Sequence, residues 1–209
     1  MDLNVWLSFV AASVALLIIP GPTVLLVLSY AISQGRRVAL ATVAGVALGD
    51  LVAMTASLLG LGAIIMTSAL AFSVLKWVGA AYLIWLGLKM LRSAKHARLE
   101  DMPDPAPGNG RRVMGHAALV TALNPKGIGF FIAFVPQFVN PNAQLAPQFA
   151  VIIATFIGLS ILVALVYTLL ADRLRARIRR PSVQQWLTRT GGMTLIGMGL
   201  FTATLRRAS

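Results

Sequence analysis

VWLSFVAASVALLIIPGPTVLLVLSY, residues 5–30, contains no Asp, Glu, Lys or Arg. A membrane helix needs roughly 20 mostly apolar residues, so this stretch is long enough to cross a bilayer. Pro20-Gly21-Pro22 nevertheless interrupts it. Five further runs are similarly apolar, at 38–66, 71–91, 117–138, 147–170 and about 186–205. They are continuously apolar instead of alternating, which excludes the strands of a membrane barrel. The reading is an all-α integral membrane protein with six transmembrane helices, forming a single transmembrane domain over 1–209.

The composition of the 209 residues agrees. Hydrophobic residues make up 58% and charged residues 11%, against about 45–50% and about 25% in a soluble domain. Mean hydropathy is +0.82. A soluble single-core enzyme and a disordered chain are both excluded. There is no cysteine, which removes disulfides, thiolate catalysis, iron–sulfur clusters and Cys-type zinc sites. The two histidines, His96 and His116, both lie near the central loop, so neither a His-based triad nor a metal cage is expected. No metal or cofactor is implied. An enzyme would need a nucleophile with its base, or a metal cluster, and the interiors of the runs offer one Asp and one Lys. The start, Met1-Asp2-Leu3-Asn4, lacks Lys and Arg, and the run after it exceeds a signal h-region; it reads as a retained membrane segment.

Net charge is +12. On a soluble chain that would suggest nucleic acid, but here the basic residues cluster in short loops. Arg36 and Arg37 follow the first run. Lys89, Arg92, Lys95, Arg98, Arg111 and Arg112 surround the third connection. Arg173, Arg175, Arg177, Arg179, Arg180 and Arg189 mark the fifth. The opposite side has only Lys76, Arg206 and Arg207. The positive-inside rule puts the three basic loops in the cytoplasm and both termini outside. The partners implied are membrane lipid, at the Arg173–Arg180 segment above all, and not nucleic acid.

Residues 100–110 hold three prolines, two glycines and three acidic residues and read as a polar linker. It separates a repeat A of about 5–91 from a repeat B of about 117–205, with a cytoplasmic linker of about 92–116. Gly79-Ala-Ala-Tyr-Leu83-Ile84-Trp-Leu-Gly87-Leu88 matches Gly191-Gly-Met-Thr-Leu195-Ile196-Gly-Met-Gly199-Leu200 at five of ten positions. The first run of repeat B is also interrupted, by Asn124-Pro125-Lys126. Three spans per half insert the second half upside down, giving a 3+3 inverted repeat with interrupted helices 1 and 4. In transporters of that plan, interrupted helices mark the binding site. A strict repeat would mirror the depths of the two breaks. Instead Pro22 lies eight residues before the end of its run and Pro125 about eight after the start of its own.

Proline removes a donor and excludes the carbonyl four residues earlier from the helix ladder. Pro20 frees the Leu16 carbonyl, Pro22 that of Ile18 and Pro125 that of Thr121. Gly21 and Asn124 suit the N-cap, and Pro22 and Pro125 the first helical position. The new half-helix ends suit a carboxylate, and Lys126 adds a full positive charge. A lysine at a helix centre costs about 2.5–3.5 kcal/mol on insertion scales, so it needs a partner: Asp50 or the substrate carboxylate. Asp50 is the one acidic residue inside a run, roughly 18 Å deep at about 1.5 Å per residue, and reads as a proton-coupling group. Gly45 and Gly49 allow close helix packing. Gln137 is a pore-lining candidate. A small zwitterion would set its carboxylate at Pro20, Gly21, Pro22, Thr23, Asn124, Pro125 and Lys126, and its ammonium near Asp50 or the freed carbonyls.

These stretches resemble the LysE/RhtB family of amino-acid exporters. The resemblance is carried by Pro20-Gly-Pro-Thr-Val-Leu-Leu-Val27, Gly35-Arg-Arg, Gly45, Gly49-Asp50 and Gly79 through Leu91. Its most distinctive part is Asn124-Pro-Lys-Gly-Ile-Gly-Phe-Phe-Ile-Ala-Phe-Val-Pro-Gln-Phe-Val139. It implies a cytoplasmic (inner) membrane exporter of amino acids or close derivatives, driven by proton antiport, without fixing the substrate. The alternative is a passive channel for small zwitterionic solutes. A homo-oligomer is compatible with either reading.

Overall fold

A computed structural model describes residues 1–19, 21–67, 69–94, 109–178 and 181–204. The regular elements among them are helical. Helices α1 (Leu3–Ile18) and α2 (Pro22–Gln34) form the first, broken segment. Helices α3 (Arg36–Thr67) and α4 (Ala69–Ser93) complete the first half. The second half begins with α5 (Gly110–Ala122) and α6 (Pro125–Gly129). From α6 the chain runs into a π-helical turn (Phe130–Phe134) and a 3₁₀ turn (Val135–Phe138). Helices α7 (Leu145–Ile178) and α8 (Pro181–Thr204) follow.

Three helices are long and apolar enough to cross a membrane alone, within α3, α4 and α7. The count rises to five if α1 with α2, bent by 53°, and α5 through Phe138, bent by 41°, each form one span. The expected sixth span, α8, is not among them. Its first half carries Gln184, Gln185, Thr188, Arg189, Thr190 and Thr194, which dilute its apolar surface. Large apolar side chains such as Leu51, Val52, Leu59, Leu70, Trp77 and Leu162 are exposed around the outside. In a soluble protein such surface would be a liability; on a multi-pass membrane protein it faces lipid.

The helix of the second broken segment begins before its apolar run. Residues 110–116, assigned to the linker, are the first turns of α5. The Asn109 side chain caps that helix by accepting from Arg112 N at 3.0 Å, the expected N-cap chemistry. With the earlier start, Pro125 lies near the middle of its segment, as Pro22 does in its own. Residues 95–108 of the linker, together with Pro20 and Arg206, lie outside the described residues, and the expectation for His96 with them.

Two seams hold the bundle at backbone distance. Gly45 and Gly49 lie where α3 crosses α5. A Cβ at Gly49 would stand 2.5 Å from Ala118 O and 2.7 Å from Thr121 Cβ, and one at Gly45 would collide with Met114 O. The other seam joins α4 to α8, antiparallel. A Cβ at Gly87 would stand 2.5 Å from Gly192 O and 2.7 Å from Ile196 Cγ1. A Cβ at Gly199 would stand 2.8 Å from Ala80 O and 2.7 Å from Ile84 Cγ1. The close approach requires glycine at all four positions. Between the seams, Phe9, Phe130, Phe131, Phe134, Phe138 and Phe156 form the aromatic centre of the core. Ring centroids are 4.9 Å apart for Phe131 and Phe156 and 5.4 Å for Phe9 and Phe138, both edge-on, the geometry aromatic quadrupoles favour.

Candidate functional site

The site is built from the two breaks. Gly21 is the N-cap of α2, with Pro22 at the first helical position, and Leu25 N donates to Gly21 O at 3.0 Å. Asn124 is the N-cap of α6, its Oδ1 accepting from Lys126 N at 3.0 Å, with Pro125 next. The same side chain reaches across: Asn124 Nδ2 donates to Thr23 Oγ1 at 3.0 Å. Thr23 Oγ1 lies 3.3 Å from Thr121 Oγ1. One amide therefore caps one half-helix and ties it to the other.

The carbonyls that proline frees all have partners. Lys126 Nζ donates to Leu16 O at 2.8 Å and to Ile19 O at 2.7 Å. Tyr167 Oη donates to Ile18 O at 2.7 Å. Thr121 O accepts from Leu123 N and from Asn124 N. Backbone groups in a lipid-embedded bundle have to be satisfied within the protein, and the breaks recruit distant donors to do it.

Lys126 thus has two backbone partners besides the carboxylates the sequence suggested. They are carbonyls at the C-terminal, negative end of α1. Asp50 is also engaged elsewhere, accepting from Ser160 Oγ. Both residues are buried, Asp50 at 7% exposure and Lys126 at 9%. They face the same cavity, of about 50 Å³, which Gly21, Thr23, Asn124 and Ser160 also line. That volume has room for a few waters at about 10–15 Å³ each. Pro22 and Pro125 start their helices but do not line it, and Gly45 and Gly49 stand behind it on the α3–α5 seam.

Ser160 and Tyr167 were not singled out by the sequence. Both sit in an apolar run where a hydroxyl is ordinary, and only the fold brings Ser160 to a carboxylate 110 residues away. Gln137 lies elsewhere, beside a larger open cavity of about 630 Å³ that Asp2, Asn140 and Gln148 also line. Its Nε2 donates to Ala133 O and to Thr202 Oγ1. Among the described residues no group of His, Cys, Asp and Glu could hold a metal ion. His116 instead pairs with Tyr30 Oη at 2.9 Å.

The family model of the LysE type translocators matches residues 5–206. The chain belongs to this family. Among similar proteins, a homoserine/homoserine lactone efflux protein of Salmonella typhimurium is 32% identical over 208 residues, covering 100% of both chains. An uncharacterized membrane protein of Vibrio cholerae is 32% identical over 206 residues, 99% of this chain and 100% of its own. A leucine efflux protein of Klebsiella pneumoniae is 31% identical over 139 residues, 66% of this chain and 65% of its own. No solved structure matches significantly. As a LysE-type translocator, the protein holds its buried Lys–Asp cavity within the part of the chain the family shares.

Proposed function

We propose that the protein exports amino acids or close derivatives across the cytoplasmic membrane by proton antiport. The observation that carries this reading is the cavity between the two helix breaks. It joins one buried carboxylate, one buried ammonium and free space beside a phenylalanine-rich core. Relatives named as homoserine and leucine efflux proteins supply the substrate class. Asp50 is the proton carrier in this reading. Inverted vesicles from cells expressing the protein should accumulate homoserine or leucine against a gradient and lose it when an uncoupler is added. Equilibration without accumulation would identify a channel. Uptake of neither compound, nor of any other amino acid, would overturn the reading.

The halves form an inverted repeat with a shift of 112 residues, which relates Gly79 to Gly191, Ile84 to Ile196 and Gly87 to Gly199. The α4–α8 seam supports this. The contact of Gly87 with Gly192 O and Ile196 Cγ1 maps onto that of Gly199 with Ala80 O and Ile84 Cγ1, atom for atom. A pseudo-two-fold axis then passes between Ile84 and Ile196. Gly79 abuts Ala133, and Gly191 abuts Ile19, the same relation to within two residues. The shift carries residues 18–26 onto Phe130–Phe138. The mate of the Pro20–Pro22 break is therefore the π and 3₁₀ stretch, not Asn124-Pro125. With the basic loops cytoplasmic, both termini are outside. Reporter fusions at Ser209 and within 100–110 should mark opposite faces; a cytoplasmic Ser209 would remove the inverted geometry.

A further inference from the structure

We propose that the Leu16 and Ile19 carbonyls form the subsite for a substrate ammonium group, and that Lys126 is its tethered occupant, displaced when substrate binds. The proposal rests on the transport reading above and specifies its recognition chemistry. A lysine side chain ends in the same –NH₃⁺ group that a free amino acid carries. Here that group is seated on two carbonyls at 2.8 and 2.7 Å, using two of its three N–H bonds. The carbonyls are available because Pro20 removes the helical donor for Leu16 O, and because α1 ends at Ile18. The negative end of a 16-residue helix adds to the attraction for a cation.

The exchange balances its charges. An entering zwitterion brings one ammonium for the carbonyls and one carboxylate for the released Lys126. The zwitterion supplies both partners itself, so Asp50, which already accepts from Ser160, is not needed to hold the released Lys126. Lys126 moves on its own four-carbon stem within the cavity that also holds Asp50 and Ser160. Gly21 packs along the Lys126 stem, where a Cβ would stand in van der Waals contact, 3.5 Å from Nζ. Selection for ligands that carry both groups follows: a carboxylate to draw Lys126 off, and an ammonium to replace it.

The probes are leucine, leucine methyl ester and N-acetylleucine, with binding measured on purified wild type and Lys126→Met. Wild type should bind leucine and neither derivative. Lys126→Met should gain leucine methyl ester by about tenfold or more, because a charge-assisted ammonium site is now vacant, and should lose leucine affinity. A folded Lys126→Met that does not gain the ester overturns the proposal. If that variant fails to fold, the wild type decides. The chain has only four lysines, Lys76, Lys89, Lys95 and Lys126, so their ¹³Cε signals can be followed separately. Leucine should shift that of Lys126 and the ester should not; an unmoved Lys126 signal under saturating leucine overturns the proposal. Ester binding by Lys126→Met in a protein whose wild type transports no amino acid would leave the subsite standing and defeat the transport reading instead.

Discussion

Asp50→Asn is expected to reduce proton-driven accumulation of leucine or homoserine in inverted vesicles to simple equilibration. Asparagine keeps the shape of the side chain and can still accept from Ser160 Oγ, the bond Asp50 makes. What it cannot do is take up and release a proton. Among the described residues lining the cavity, Asp50 is the only carboxylate, and no described neighbour there can replace it. Exchange of labelled for unlabelled substrate, which needs no net proton movement, should persist. Driven accumulation at the wild-type level by a normally inserted Asn variant would make Asp50 a structural partner of Ser160 only.

The second large effect concerns the α4–α8 seam. Gly87→Leu and Gly199→Leu should each destabilise the bundle by about 1–3 kcal/mol, the usual range for overpacking a filled site. The added side chain meets backbone on the opposite helix, Gly192 O in one case and Ala80 O in the other, and backbone cannot rotate away. Under the proposed pseudo-two-fold axis the two collisions are equivalent, so their costs should be similar within that range. Unfolding of each variant in mixed detergent measures both values. A harmless Gly199→Leu beside a damaging Gly87→Leu would deny the symmetry.

Much of this was legible because membrane helices announce themselves by length and apolarity, and because proline acts locally. The caps at Gly21 and Asn124 and the freed carbonyls of Leu16, Ile18 and Thr121 follow from covalent geometry alone. What receives those carbonyls does not. Lys126 reaches Leu16 across 110 residues and Tyr167 reaches Ile18 across 149, and such pairings depend on how the helices lie against one another. A charge argument offers Lys126 a carboxylate. The two carbonyls at the end of α1 that hold its ammonium cannot be read from the sequence. The start of α5 was misplaced for a simpler cause. Arg111 and Arg112 look like loop, yet Asn109 caps a helix that carries them.

The distance along the chain between the first break and its donors bears on biosynthesis. The ribosome makes α1 and α2 before Lys126 or Tyr167 exists, so Leu16 O and Ile18 O enter the insertion machinery without the partners they have in the finished protein. In hydrocarbon each bare carbonyl costs several kcal/mol. The broken helix therefore has to stay beside water or the translocon until the second half is synthesised, and its release into lipid is coupled to the arrival of α6 and α7. Assembly of this bundle is completed from the C-terminal half backwards: α6 and α7, made later, are the helices that let the first helix settle.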